Sequence, residues 1–463
     1  MSWYHPSVYD RTLPIGSYWE TTDGPIDPDC SPLNQSQTCE VAIIGGGFTG
    51  LSAALHLARE HGIQAAILEA GMPGWGASGR NGGFCCVGGT ALSHQQLIHK
   101  FGWVETQRYY QEQRSAIDWV QHLAKTENMA IDPQGEGEII VAHHPSRLRL
   151  LADEQEFLTQ IAHYPCQLWS RQELADYGFS SPEAHAALHV GVGFGLNPVK
   201  YSRGLARAAL KRGVRIYGQS PVITWEKIGT DHLLHTPGGT LRAKTVIIAT
   251  NGYTDDRSFP TPHSLLPIPS TSLHPNLHSR TLPALSQIIT TRPLTDSERS
   301  AQGWHTETPV YDTRNLLFYY RLLKDGRFLF GSRGGITGSP TERDRHQTWM
   351  VRRLGELFPA WKGIEITHAW NGLVCLSASL TPHLGNLPQD PSIFYALAYH
   401  GNGVAAATWS GRWVARLVAE KVTLPEICAV FRQPLQPFPF PFLRREYLRS
   451  AYWLYGIRDR LGG

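Results

Sequence analysis

The chain has 463 residues, enough for two to three domains, and its 41% apolar and 17% charged residues suit a globular protein with a sizeable core. A formal net charge of +3, with Lys and Arg spread along most of the length, argues against nucleic acid as a partner. No basic n-region followed by an apolar run opens the chain, no stretch of about 18 apolar residues could span a bilayer, and seven cysteines without CxxC spacing point to a reducing, cytoplasmic setting without structural zinc or another metal.

In chain order, residues 1–37 are rich in Pro, Asp, Thr and Ser and are expected as an N-terminal arm lying on the body. Glu40 to Ile44 form an apolar strand that ends in a glycine turn. FTGLSAALHLAREHG follows with helical spacing, Leu51, Ala54, Leu55 and Ala58 on one stripe and Gly62 as the stop. IQAAILEA (63–70) completes a βαβ unit, and a second glycine loop, GWGASGRNGG, occupies 74–83. Helices are expected over 104–128 and 147–162, with a strand at 135–144 between them. Asn197-Pro198 opens a helix to about Lys211, and strands follow at Val214–Tyr217 and Thr245–Ala249. Ser258 to His278 read as irregular. NLLFYYRLL and RFLFGS form a hairpin around Lys324-Asp325-Gly326. SIFYALAYHGNGV is a strand running into another glycine turn, and a helix follows to about residue 421. The chain closes with a Pro/Phe-rich arm and a basic, aromatic helix.

Gly45, Gly47 and Gly50 set the pattern GxGxxG between a strand and a helix. The first glycine permits the turn, the second lets backbone approach a pyrophosphate, and the third lets helix pack on strand. Glu69 ends the second strand about 20 residues on, where a carboxylate accepts from ribose hydroxyls and repels a 2′-phosphate. These residues alone leave NAD and FAD both open. Three distant segments favour the longer cofactor: GWGASGRNGG, SPV (220–222) with ATNGY (249–253), and YHGNGV (399–404).

Together with GxNPVKY (195–201), DTRNLLFYYRLLKDGRFLFG, WNG (370–372) and TPHLG (381–385), these motifs resemble the FAD-dependent amine and amino-acid oxidoreductases of the D-amino-acid oxidase superfamily. Within it they resemble the gamma-glutamylputrescine oxidoreductase-like proteins. The resemblance spans nearly the whole chain. It departs at Ser379-Leu380, where family members usually carry an acidic residue near the proline.

The resemblance implies an α/β fold with a Rossmann-type, glutathione-reductase-like FAD domain and a substrate domain on a mixed, largely antiparallel sheet. The FAD domain is expected from 38–95, 190–256 and 366–424, the substrate domain from 96–189 and 257–365, and a C-terminal arm from 425–463. Expected FAD contacts are Gly45, Gly47, Phe48, Thr49 and Gly50 at the first turn, then Glu69 and Ala70. Gly76, Ala77, Ser78, Gly79, Arg80, Asn81, Gly82 and Gly83 come from the second loop. Val222, through its backbone, holds the adenine, with Thr250 and Asn251 near the pyrophosphate and ribose. Gly372, Gly401, Asn402, Gly403 and Val404 complete the set.

The implied reaction is oxidation of an amine or amino-acid C–N bond by hydride transfer to flavin N5, followed by imine hydrolysis, with oxygen as acceptor. A quinone- or carrier-linked dehydrogenase and a non-catalytic flavin-binding protein are the alternatives. Tyr319 and Arg321 share one strand face, Tyr320 the other. Tyr319 is a candidate to orient an amine and Arg321 to clamp a carboxylate, or the two are simply a sheet pair. Arg333 stands where related oxidases carry a basic residue that promotes reaction with oxygen. Trp370 is a candidate pocket wall. His400 and the helix after it are candidate positive groups beside the flavin, and Cys85 and Cys86 read as buried small residues. Leu448, Ala451, Tyr452 and Tyr455 stripe the last helix among five arginines, a pattern open to peripheral membrane contact.

Overall fold

The computed structural model describes residues 4–24, 29–254 and 277–462. Two eight-stranded sheets and a two-stranded ribbon organise them. In the first sheet the order is His383–Leu387, Asp390–Leu397, Thr240–Ile248, Gln37–Ile44, Ala65–Leu68 and Arg215–Tyr217. The five strands from Asp390–Leu397 onward run parallel. Such strands are covered on both faces, which is why Val41–Ile44 and Ala65–Leu68 are continuous apolar runs, buried at every position. The helix Phe48–His61 crosses from the first strand to the second and ends at Gly62, whose φ of 68° forms the left-handed cap. It packs against the helix Val404–Val418, where the Ser52 hydroxyl donates to the Thr408 carbonyl at 2.7 Å.

The second sheet runs Ile366–Ser377, Thr281–Pro293, Arg327–Arg333, Phe318–Leu322, Val310–Asp312, Glu138–Val141, Ala186–Val190 and Cys166–Ser170. Every pair is antiparallel except Val310–Asp312 with Glu138–Val141. One face buries an aromatic core of Tyr320, Phe328, Phe330, Trp304, Phe358 and Trp361 beneath the helix Pro340–Leu357. Ile366–Ser377 pairs along nearly its whole length with Thr281–Pro293. The chain therefore leaves the second sheet after Ser377, later than the boundary expected at 366. The reason is that an unbroken antiparallel ladder holds the intervening residues.

Helix His94–Thr126 begins ten residues before the expected 104 and is kinked at Gly102 (φ 81°), which separates a short leading segment from the long helix. The hairpin forms around Asp325-Gly326 as expected. Of the irregular stretch 258–278, all but the last two residues lie outside the described residues. The final helix, Arg444–Leu461, docks on the second sheet through Leu448 against Leu282 and Ala284. Asp459 accepts hydrogen bonds there from the backbone N–H groups of Asn315 and Leu316. Among the described residues no helix is long and apolar enough to cross a membrane, and no cluster of three His, Cys, Asp or Glu stands ready for a metal ion.

Candidate active site

A cavity of about 680 Å³ starts at the carboxyl ends of the parallel strands and continues over the open face of the second sheet. Its near end is built by backbone. Gly45 has φ 108°, and a Cβ there would stand 2.8 Å from the Ala249 carbonyl oxygen. Gly47 opens the first helix without a side-chain cap of its own. The Ser78 hydroxyl instead accepts the Phe48 N–H at 2.9 Å. The helix Val404–Val418 likewise begins at Gly403 without a side-chain cap. Two helix N-termini, with their orphan N–H groups, thus meet the cavity through Gly47, Phe48 and Thr49 and through Gly403 and Val404.

Glu69 is 8% exposed. Its Oε2 accepts the Gly46 N–H at 2.6 Å and its Oε1 the Gly71 N–H at 2.7 Å. Burial raises its pKa, while those two N–H donors and Arg11 oppose the rise. Ala70 lies beside it on the cavity wall, and Val222 lines the same end. The Val222 backbone makes no hydrogen bond to the described residues, which leaves a free edge for an adenine. Thr250 and Asn251 also line the wall. Asn251 has φ 46° and its Oδ1 accepts from Ala398 N, so it fastens two neighbouring strands as well.

The loop 74–83 wraps the middle of the cavity through Gly76, Ala77, Ser78, Arg80, Asn81 and Gly82. Asn81 folds the loop on itself: its amide donates to the Ala77 and Ser78 carbonyls and accepts the Gly83 N–H. Arg80 stacks over Trp75, 4.3 Å from the ring centroid, and donates to the carbonyls of Trp75 and Asn371. Gly372, Gly401 and Asn402 close the far side.

Three expected cofactor contacts do not reach the cavity. A Cβ on Gly50 would overlap the Gly45 carbonyl, on Gly79 that of Gly74, and on Gly83 that of Leu196. These glycines exist for close backbone packing. Two catalytic candidates are also displaced. Arg321 is 1% exposed and lies off the cavity. Its guanidinium donates to the carbonyls of Gly82 and Leu196, so it braces the second loop from behind. Trp370 is 2% exposed, donates to the Arg80 carbonyl at 2.8 Å and packs edge-on to Trp19. It supports the loop from within the core.

Tyr319, Arg333 and His400 do line the cavity. The Tyr319 hydroxyl pairs with that of Ser286 at 2.9 Å. Arg333 donates to the His400 carbonyl at 3.1 Å. The His400 ring is buried, which pushes its pKa down to about 3 and keeps it neutral. Its Nε2 lies 3.2 Å from the Thr381 carbonyl, so that nitrogen carries the proton. The positive groups on that side of the cavity are therefore the helix N-terminus at Gly403 and the Arg333 guanidinium, and the imidazole adds no charge. Cys85 and Cys86 are buried in the ribbon against Gly193–Gly195, as expected of small core residues.

Sequence reasoning missed Tyr9 and Arg11, which the N-terminal arm brings to the adenosine end, and Trp75 and Tyr253 in the middle. It also missed Tyr110, Glu138 and Tyr311 at the far end. A glutamate opening the apolar run EIIV was the one visible signal of that last group.

Residues 40–417 match the family described as FAD dependent oxidoreductase. The chain belongs to that family. It is 31% identical to the gamma-glutamylputrescine oxidoreductase of Escherichia coli (strain K12), over 93% of this chain and 95% of that protein. It is 30% identical to a protein named Probable oxidoreductase OrdL of Rhizobium meliloti (strain 1021), over 99% and 100%. Among solved structures, the glycine oxidase of Geobacillus kaustophilus superposes with a TM-score of 0.66 at 21% identity, covering 83% of this chain and 96% of that one. The L-proline dehydrogenase of P. horikoshii superposes at 0.65 and 17%, covering 90% and 99%.

FAD is thus the cofactor of this oxidoreductase, and the cradle fits it. Glu69 suits a ribose, the free Val222 edge suits an adenine, and two helix N-termini that open on glycine suit a diphosphate and an electron-rich ring.

Proposed function

We propose that this FAD-dependent oxidoreductase oxidises a C–N bond of an amine or amino acid to an imine, which water then hydrolyses. The observation that carries the reading is the continuation of the FAD cradle into a chamber walled by tyrosines. FAD supplies the acceptor for the two electrons; the chain supplies binding and exclusion of water. Tyr319 and Ser286 offer paired hydroxyls to orient an amine nitrogen. Neutral His400 leaves the helix N-terminus and the Arg333 guanidinium as the positive groups on that side. The name of the Escherichia coli relative, an oxidoreductase of a putrescine derivative, supports an amine substrate.

Oxygen is the acceptor in this reading, with the Arg333 cation placed to favour negative charge as electrons leave the site. The test is anaerobic bleaching of the yellow protein by a panel of amines and amino acids, then admission of air. Bleaching followed by rapid recolouring supports the reading. No bleaching by any member of the panel overturns it and leaves a non-catalytic flavin-binding protein.

A second reading, with a membrane quinone as acceptor, is favoured by one observation. Phe440, Phe442, Trp453 and Leu461 are exposed on the C-terminal arm and helix, alongside Arg449, Arg458 and Arg460. Slow recolouring in air, fast recolouring with a soluble quinone and binding to anionic vesicles together select it.

A further inference from the structure

The end of the second glycine loop turns four successive carbonyls to the interior. The Trp370 indole N–H donates to the Arg80 carbonyl at 2.8 Å and the Trp19 indole N–H to the Asn81 carbonyl at 2.9 Å. Arg321 Nε donates to the Gly82 carbonyl at 2.9 Å, and the Leu196 N–H to that of Gly83 at 2.8 Å. The three donor side chains form one block behind the loop, off the cavity. Trp19 meets Trp370 edge-on with centroids 6.4 Å apart, and the Arg321 guanidinium lies 5.6 Å from the Trp19 ring centroid.

The N–H groups of the same residues divide differently. The Asn81 N–H donates to the Ala77 carbonyl at 3.2 Å and the Gly83 N–H to Asn81 Oδ1 at 2.8 Å. The Gly82 N–H has no partner among the described residues, yet Gly82 is buried and lines the cavity. A trans peptide sets its N–H opposite its C=O, and no described peptide bond is cis. The Asn81 carbonyl is drawn towards Trp19 in the core, so the Gly82 N–H is turned the other way, into the cavity. A buried backbone donor left without a protein acceptor calls for one from a ligand. Gly82 also stands where the loop reaches the second sheet, for a Cβ on it would lie 3.1 Å from the Tyr319 ring. That is the end of the cradle away from Gly45 and Glu69, where the redox-active ring of FAD belongs.

We propose that Trp19 is a positioning residue for the flavin: by fixing the Asn81–Gly82 peptide it holds the Gly82 N–H as a donor to the bound ring. Such a donor favours the state with more electron density, the reduced one, and so raises the electron affinity of the cofactor. The N-terminal arm thereby acts on the redox chemistry without touching FAD. Trp19 is held for this in the 3-10 turn Tyr18–Thr21, pinned where Asn197 Nδ2 donates to Thr22 Oγ1 at 2.8 Å. The inference depends on FAD alone and not on which substrate is oxidised.

Two matched variants test it. Trp19→Phe keeps a ring against Trp370 and removes the N–H. Trp370→Phe makes the same change in the same block, but the peptide it releases carries the Asn81 N–H, already bonded to Ala77. The two-electron potential of each holoenzyme is read by anaerobic equilibration with redox dyes, with no substrate present. In Trp19→Phe the equilibrium constant for reduction should fall about ten-fold, the worth of one hydrogen bond, which is about 30 mV. In Trp370→Phe the potential should keep its wild-type value while the melting temperature falls comparably. An unchanged potential in Trp19→Phe overturns the inference. So does an equal shift in both variants, which would mean a general loosening of the loop. If Trp19→Phe does not retain flavin, amide hydrogen exchange in the wild-type holoenzyme decides. Exchange at Gly82 as slow as at Asn81 and Gly83 upholds the inference, and fast exchange at Gly82 sinks it.

Discussion

Along the first sheet the groups that line the cavity are mostly backbone: glycine turns, two helix N-termini and the free edge of Val222, with Glu69 as the main charged side chain. Along the second sheet the groups that line the cavity are mostly side chains, among them Ser286, Tyr319, Tyr311 and Glu138, one from each of four strands. A site made of backbone tolerates few residue types at fixed spacings, because only glycine clears the approach. A site made of side chains is set by which strands pair and in which register, and the same face accepts many residue types. The first half is specified locally and the second only by the finished sheet.

The sharpest way to break the first half alone is Gly50→Ala. The added methyl would overlap the Gly45 carbonyl inside the turn. Overpacking of this kind costs about 3 kcal/mol or more, and the expected result is protein without flavin, read from the ratio of visible to ultraviolet absorbance. A normal flavin complement would mean that the turn can open without loss. Next in size is Glu69→Ala, which strips the Gly46 and Gly71 N–H groups of their acceptor. FAD affinity should fall on the order of 100-fold, measured by titrating apoprotein and following flavin fluorescence. Unchanged affinity would remove Glu69 from the cofactor site.

The same contrast governs how much could be read from the chain. The βαβ unit, its glycines and Glu69 were legible because their spacing encodes a local mechanism. Val222, Thr250 and Gly401–Val404 were placed through the family resemblance, and all of them line the cavity. Of the two roles left open for Arg321, the structure places it away from the cavity for a physical reason. It shares a strand face with Tyr319, but the ribbon Phe84–Cys86 and Gly193–Gly195 brings backbone over its end of the strand, and its guanidinium serves carbonyls there. Periodicity gives the face of a strand and says nothing of what covers each position along it. Glu138 was passed over because a single acid in an apolar run becomes significant only once the sheet sets it beside Tyr311. Tyr9 and Arg11 reach the cofactor end from an arm without any period.

Acid provides the third test, aimed at the seam where the two halves meet. The folded pKa of His400, about 3, lies below the value of about 6.5 for an unfolded histidine. Between these values the unfolded chain binds the extra proton. The stability associated with neutral His400 is therefore intact above pH 6.5 and is lost as pH falls towards 3. At pH 5 the loss is about 2 kcal/mol. His56 and His383 are depressed by burial in the same sense. The contribution of His400 is thus the difference between wild type and His400→Gln in urea midpoint shift from pH 7 to pH 5. Equal shifts would show that the imidazole is not held neutral.

On the substrate side a smaller effect is expected from Tyr319→Phe, which keeps the ring and removes only the hydroxyl paired with Ser286. If that hydroxyl orients the reacting nitrogen, kcat/KM falls about ten-fold, the value of one hydrogen bond made in the transition state. Flavin content should not change, since the cofactor half does not depend on it. Loss of flavin with intact kinetics per bound flavin would reverse the assignment of Tyr319 to the substrate half.

The smallest effect belongs to the C-terminal helix, and it bears on whether that helix serves the body or a membrane. Asp459 holds the helix to the turn before Phe318–Leu322 by accepting from Asn315 N, Asn315 Nδ2 and Leu316 N, at 2.7–2.9 Å. Asn315 is exposed, so water competes for these bonds, and Asp459→Ala should cost about 1 kcal/mol. In a chain of this size that is a fall in melting temperature of about 2 °C or less. Leu448 and the buried guanidinium of Arg444, which donates to the Thr281 carbonyl, still anchor the start of the helix. The loosened end carries Trp453, Leu454 and Leu461, already exposed in the docked helix. If these side chains rest on a lipid surface, freeing them strengthens binding to anionic vesicles while turnover of a soluble amine stays constant. If the helix serves only the body, vesicle binding is absent in both proteins and the small loss of stability is the whole effect.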